Sequence, residues 1–72
     1  MTQLTHGERR RLEKGVARRV YEFTDDKKEA AWLFKELYRE IKDRFGVPTY
    51  KDVKSKDLQS VIQLIENWSP LS

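Results

Sequence analysis

Hydrophobic residues recur at helical spacing in three stretches of the chain, and capping or turn-forming residues stand between these stretches. Before the first stretch, Thr5-His6-Gly7-Glu8 has the form of a capping box, in which a threonine and a glutamate satisfy the first free amides of a helix. The pattern predicts helix 1 at about 5–23. Its apolar stripe consists of Leu12, Val16, Val20 and Phe23.

The second stretch follows Thr24-Asp25-Asp26, and each of these three residues can cap a helix N-terminus. It ends at Gly46, because only glycine enters the left-handed conformation of a helix stop without a Cβ penalty. Pro48 then prevents the helix from resuming. We therefore predict helix 2 at about 25–45. Its broad apolar face comprises Ala30, Leu33, Phe34, Leu37, Tyr38, Ile41 and Phe45.

The segment that follows Gly46 is longer than a minimal turn between helices, yet every third residue in it is apolar. We expect Thr49 to cap a single turn that packs these side chains onto the core. Ser55 is the predicted N-cap of helix 3, which we place at about 56–68. The apolar residues of the connector and of helix 3 are Val47, Tyr50, Val53, Leu58, Val61, Ile62, Leu64, Ile65 and Trp68.

These elements predict an all-α fold, a single domain over residues 1–72 with three helices and an ordered connector between helices 2 and 3. A chain of this length buries only about 60% of the surface that its unfolded form exposes, and the sequence has no cysteine for a disulfide. We therefore expect either very good helix packing or association with copies of itself or a partner. The expected core is Leu12, Val16, Val20, Phe34, Leu37, Tyr38, Ile41, Phe45, Val47, Tyr50, Val53, Leu58, Val61, Ile62, Ile65 and Trp68.

The composition argues against an enzyme. His6 is the only histidine and there is no cysteine, so neither a nucleophile–base pair of the usual kind nor a zinc site can be assembled. Asp25, Asp26 and Glu29 could form a metal or acid–base cluster, but capping of helix 2 explains them. We expect no catalytic residues, no cofactor, no metal and no small-molecule substrate.

No hydrophobic run approaches the roughly 20 residues needed to cross a bilayer, and no signal-peptide core follows Met1. We therefore expect a soluble, cytoplasmic protein that does not associate with a membrane. The net charge of the sequence is +3, and the whole basic excess lies within helix 1.

A basic face on helix 1 is a candidate nucleic-acid-binding surface, because cations at helical spacing can follow a phosphate backbone. The alternative is a solvated helix face that balances acidic residues elsewhere. The candidate nucleic-acid-binding residues are Arg10, Arg11, Lys14, Arg18 and Arg19.

Trp32 lies nearly opposite Phe34 on helix 2, away from the main apolar stripe. It either packs against helix 1 inside the monomer or is exposed as an aromatic anchor of the kind enriched at protein interfaces. Both placements are open at this point. In the second case Trp32 is the candidate protein-binding residue.

Three runs of the sequence, LYREIKDRFGVPTYKDV, Lys56-Asp57-Leu58 and VIQLIENW, resemble one phage domain. They are similar to the C-terminal domain of phage antirepressors, which follows N-terminal modules of the BRO, KilA or Rha kind. The family pattern is an aromatic–basic helix that closes in a basic residue, Phe, Gly and an apolar residue, then a Tyr-Lys-Asp-aliphatic turn, then an apolar helix ending in an aromatic. The matching positions are 44–47, 50–53 and 61–68.

The resemblance covers about residues 4–68 and implies control of a lysis–lysogeny switch in a bacterial host cell. Antirepressors of this type inactivate a phage repressor by binding it, or act as regulators on DNA, and no catalytic or cofactor residues come with the family. We therefore expect a non-enzymatic regulatory module that acts by self-association or by binding a repressor-like regulator. Direct nucleic-acid binding through helix 1 is the alternative.

Overall fold

Three α-helices and two short 3₁₀ turns make up the regular structure of residues 3–70, which are the residues that the computed structural model describes. The all-α, three-helix fold with an ordered connector, predicted from the sequence, is confirmed. The elements in chain order are α1 (His6–Phe23), α2 (Lys27–Phe45), the 3₁₀ turns Tyr50–Asp52 and Ser55–Asp57, and α3 (Leu58–Asn67).

The N-terminus of α1 is closed by the predicted capping box. The Thr5 hydroxyl accepts a hydrogen bond from the Glu8 amide at 3.1 Å, and the Glu8 carboxylate accepts one from the Thr5 amide at 2.9 Å. Two amides that would otherwise lack partners at the helix start are thereby satisfied.

The N-terminus of α2 is capped by the last residue of the Thr24-Asp25-Asp26 run. The Asp26 carboxylate accepts a hydrogen bond from the Glu29 amide at 3.3 Å. For this reason α2 begins at Lys27, two residues later than predicted.

The C-terminus of α2 has the predicted glycine stop. Gly46 lies in the left-handed region with φ of 65°, and the Val47 amide donates to the carbonyl of Lys42 at 3.1 Å. A bond of this span is part of the Schellman helix stop. The predicted end of helix 2 at Phe45 is therefore confirmed.

The connector holds the predicted single turn, since the Thr49 hydroxyl accepts a hydrogen bond from the Lys51 amide at 3.4 Å. The turn is a 3₁₀ helix, Tyr50–Asp52, and it leads Val53 into the core at 1% exposure. At the start of the described chain, Gln3 pairs with Lys54 in an isolated antiparallel bridge. The connector is thus ordered by local and distant contacts together.

The predicted N-cap role of Ser55 is wrong. Within residues 3–70, α3 begins at Leu58 without a side-chain cap, because Ser55–Asp57 forms a 3₁₀ turn first. The Ser55 hydroxyl instead donates to the Glu8 carboxylate at 2.8 Å from each oxygen. Ser55 therefore joins the connector to the start of α1.

The core is aliphatic, whereas the expected core included aromatic rings. Side chains predicted to be buried but found only partly buried are Phe34, Tyr38, Phe45, Val47, Tyr50, Ile62 and Trp68. Leu4, Ala30 and Leu33 are buried, although the expected core omitted them. Among residues 3–70, the buried hydrophobic residues are Leu4, Leu12, Val16, Val20, Ala30, Leu33, Leu37, Ile41, Val53, Leu58, Val61 and Ile65.

Aromatic rings form a row at the edge of this core. Ring centroids are 5.8 Å apart for Tyr21 and Phe34, 6.5 Å for Phe34 and Tyr38, and 4.8 Å for Tyr38 and Tyr50. Separations of this size are favourable for aromatic pairs. The rings therefore pack against one another at the edge of the aliphatic core and not inside it, and for this reason they are only partly buried.

Helix α1 is the centre of the arrangement. It packs against both α2 and α3, which contact each other much less. Ser55 reaches the start of α1 at Glu8, and the Trp68 carbonyl reaches Arg19 near the end of α1. Helix α3 therefore runs along α1 in the same direction, and a surface groove follows the junction between them.

Candidate interaction surfaces

The groove between α1 and α3, here called the basic groove, is a concave surface lined by five cationic and two acidic side chains. Its volume is ≈ 660 Å³. The α1 side chains that line it recur every three or four residues, so they form one stripe along that helix. Its lining consists of Gly7, Arg10, Arg11, Lys14, Gly15, Arg18, Arg19, Glu22, Ile62, Ile65 and Glu66.

Four of the five predicted nucleic-acid-binding residues are exposed in this groove. They are Arg10, Arg11, Lys14 and Arg18. The ion pairs within the described part of the chain join Arg19 to Glu22 and Glu40 to Arg44, so none of these four cations takes part. The structure therefore places four unpaired positive charges together on one side of α1.

Arg19, the fifth candidate, differs from the expectation because it is engaged inside the molecule. Its Nε donates to the carbonyl of Trp68 at 2.9 Å, and its Nη1 pairs with Glu22 at 2.8 Å. Its guanidinium carbon also lies 4.9 Å from the centroid of the Phe23 ring, within the range of a cation–π contact. Arg19 thus fixes the end of α3 onto α1.

Trp32 is 53% exposed on α2. Of the two placements left open by the sequence, the structure shows the exposed one. The ring pairs among residues 3–70 do not include Trp32. Within residues 3–70, the other exposed large hydrophobic residues are Tyr21 and Phe23, at the end of α1.

Sequence reasoning did not find the apolar part of the basic groove. Ile62 and Ile65 were assigned to the core, and Ile65 is indeed 3% exposed, whereas Ile62 is half-buried. Gly15 faces α3 here, since an added Cβ would lie 3.8 Å from Cδ1 of Ile65. The sequence signal for this part of the groove was Gly15, a glycine that stands among the basic residues of an amphipathic helix.

Two carboxylates of α1 hold the connector against that helix. Glu8 accepts from Ser55, and Glu13 accepts from the Tyr50 hydroxyl. The pKa of Glu8 lies below its ordinary value, chiefly because the Thr5 amide donates to the carboxylate and secondly because Ser55 does. Burial, followed by the contact with Glu13, raises the pKa of Tyr50 to about 12.

Within residues 3–70, no group of three histidine, cysteine, aspartate or glutamate side chains is arranged to hold a metal ion. None of the helices in this range is long and apolar enough to cross a membrane. Of the acidic residues near the start of α2, Asp26 serves as its N-cap.

Comparison with curated proteins and with solved structures returned no significant match. A family model of the ORF6C domain, however, matches the chain over residues 1–72. This domain is found in phage antirepressor-type proteins, so the resemblance seen in the sequence is confirmed. The chain belongs to the ORF6C domain family.

Proposed function

We propose that this chain is a phage-associated regulatory module that acts by binding protein, without catalysis, and that Trp32 lies in the contact. Membership of the ORF6C family supports the phage-associated regulatory part. The partner is a second copy of the chain or a repressor-like regulator.

The exposure of Trp32 carries this proposal. A tryptophan side chain can bury up to roughly 250 Å², and 53% of Trp32 is exposed. About 130 Å² is therefore available, and its burial at ~25 cal/mol per Å² would contribute about 3 kcal/mol to association. That free energy corresponds to about a 100-fold change in the dissociation constant.

The Trp32→Ala variant tests the proposal in a sedimentation experiment over a range of protein concentrations. We expect association to weaken by about 100-fold while far-UV circular dichroism stays unchanged, because Trp32 lies outside the buried core. Lys35→Ala, a change at another exposed position of α2, is the matched control. If the parent chain is monomeric, the same three proteins are titrated against a repressor-like regulator. Unchanged binding of both variants, or loss of helicity in Trp32→Ala, contradicts the proposal.

A second candidate function, nucleic-acid binding, is supported by the four exposed and unpaired cations of the basic groove. The test is titration of a labelled generic DNA duplex, followed by anisotropy at two salt concentrations. A non-specific binder has a Kd of roughly 10⁻⁴ to 10⁻⁶ M and a log–log salt slope near −0.9 per phosphate contacted. A slope of about −3 or steeper supports this function, and absence of binding at low salt removes it.

A further inference from the structure

We propose that the basic groove binds an acidic, amphipathic helical segment of a protein partner. This inference rests on the proposed protein-binding function and adds the chemistry of the partner and a second surface, distinct from Trp32. Three properties of the groove support it, namely its length, its apolar floor and the arrangement of its charges.

The groove is long enough for a helix of about four turns. Its α1 lining extends from Gly7 to Glu22, which is about 22 Å at 1.5 Å per residue. A concave channel of this length between two helices is the kind of surface into which a third helix lays its apolar face.

The floor of the groove is apolar. Ile65 at its base is already buried, and a Cβ built on Gly15 would lie 3.8 Å from Cδ1 of that residue. Ile62 is half-buried beside it and supplies the apolar surface that water still reaches. An amphipathic helix would remove this surface from water, whereas a phosphate backbone offers nothing apolar to cover it.

The charges along the groove are unequal at its two ends. Arg10 and Arg11 lie towards the start of α1, with Lys14 and Arg18 following, whereas Glu22 and Glu66 lie at the other end. The helix dipole is negative at the C-terminus, so a bound helix is best placed with its C-terminus near Arg10 and its direction opposite to that of α1. A continuous polyanion would instead meet Glu66.

The test is selection of peptides from a random display library on the intact 72-residue chain. We expect selected peptides to be rich in aspartate and glutamate, with apolar residues three and four positions apart. A synthetic copy of a selected peptide is then titrated with each protein by fluorescence anisotropy, and its helicity is followed by circular dichroism.

Two variants address the groove directly. Gly15→Gln places a side chain over the apolar floor, and it should fold because glutamine is a better helix former than glycine. The triple variant Arg11→Glu, Lys14→Glu, Arg18→Glu reverses the rim charges. Its matched control is Lys27→Glu, Lys28→Glu, Lys35→Glu, which changes the net charge equally at exposed positions of α2.

We expect at least tenfold weaker peptide binding for both groove variants, and unchanged binding for the control and for Trp32→Ala. The inference is overturned if the selected peptides lack acidic enrichment or bind Gly15→Gln as they bind the parent. It is also overturned if no peptide is selected. This holds both if a DNA duplex binds the cations of the groove and if neither peptide nor DNA binds. Failure of Trp32→Ala to weaken association would count against the Trp32 contact alone, so the two failures are distinguishable.

Discussion

Replacement of Gly15 by alanine should stabilise the protein. Gly15 lies in the middle of α1, and glycine in a helix interior is less favourable than alanine by about 0.5–1 kcal/mol. The new methyl group would lie 3.8 Å from Cδ1 of Ile65, which is an ordinary van der Waals separation. No steric cost should offset the higher helix propensity of alanine. We therefore expect the free energy of unfolding to rise by about 0.5–1 kcal/mol.

The assay is urea unfolding followed by far-UV circular dichroism, together with a thermal scan. A gain of 1 kcal/mol raises Tm by roughly 4–8 °C for a domain of this size. Gly46→Ala is the opposing control, because φ of 65° at Gly46 is unfavourable for a residue with a Cβ, and it should lower stability by about 1 kcal/mol. A Gly15→Ala protein that is less stable than the parent would refute the reasoning, since it would show that α1 and α3 approach too closely for a methyl group.

Three further predictions concern the contacts that begin α1 and hold the connector. Thr5→Ala should lower stability by about 1 kcal/mol through loss of the N-cap, as measured by urea unfolding. The pKa of Glu8 lies below its ordinary value of 4.5, so its stabilising contribution is complete above that pH and is lost as pH falls through the lower, folded-state value. Ser55→Ala should move the Glu8 pKa back towards 4.5 in a carboxyl NMR titration; an unchanged pKa contradicts this cause. The Tyr50 pKa is raised from 10.0 to about 12. The contribution of Tyr50 to the free energy of unfolding is therefore complete below pH 10 and is lost as pH rises towards 12. In alkaline unfolding, Tyr50→Phe should remove this part of the pH dependence, and at neutral pH it should lower stability by about 1 kcal/mol.

The parts of the fold that could be predicted depend on groups close together in the sequence. The capping box of Thr5 and Glu8, the glycine stop at Gly46 and the Thr49 turn each join atoms no more than five residues apart. Their geometry follows from helix and turn rules alone. The helical periodicity of the apolar residues likewise indicated three helices, because one face of each must be buried.

The wrong or incomplete predictions depend on groups far apart in the sequence. Ser55 looked like an N-cap, but its hydroxyl donates to Glu8, 47 residues away. Arg19 looked like a free cation, but the Trp68 carbonyl that it binds is 49 residues away. Such partners depend on how α3 lies against α1, which periodicity does not specify. The exposure of Trp32 could not be decided for the same reason.

Gly15 connects the stability of the fold with the proposed binding groove. No neighbouring side chain requires a glycine there, since a Cβ would be accommodated at 3.8 Å, so the glycine lowers helix stability without a packing reason. Proteins commonly give up stability where a binding site needs it, and Gly15 lines the basic groove together with Ile62, the half-buried residue that an apolar helix face would contact. Alanine at this position should therefore raise stability and weaken peptide binding slightly, and glutamine should weaken binding much more. An increase in both stability and binding with alanine would show that the lack of a side chain at Gly15 does not serve binding.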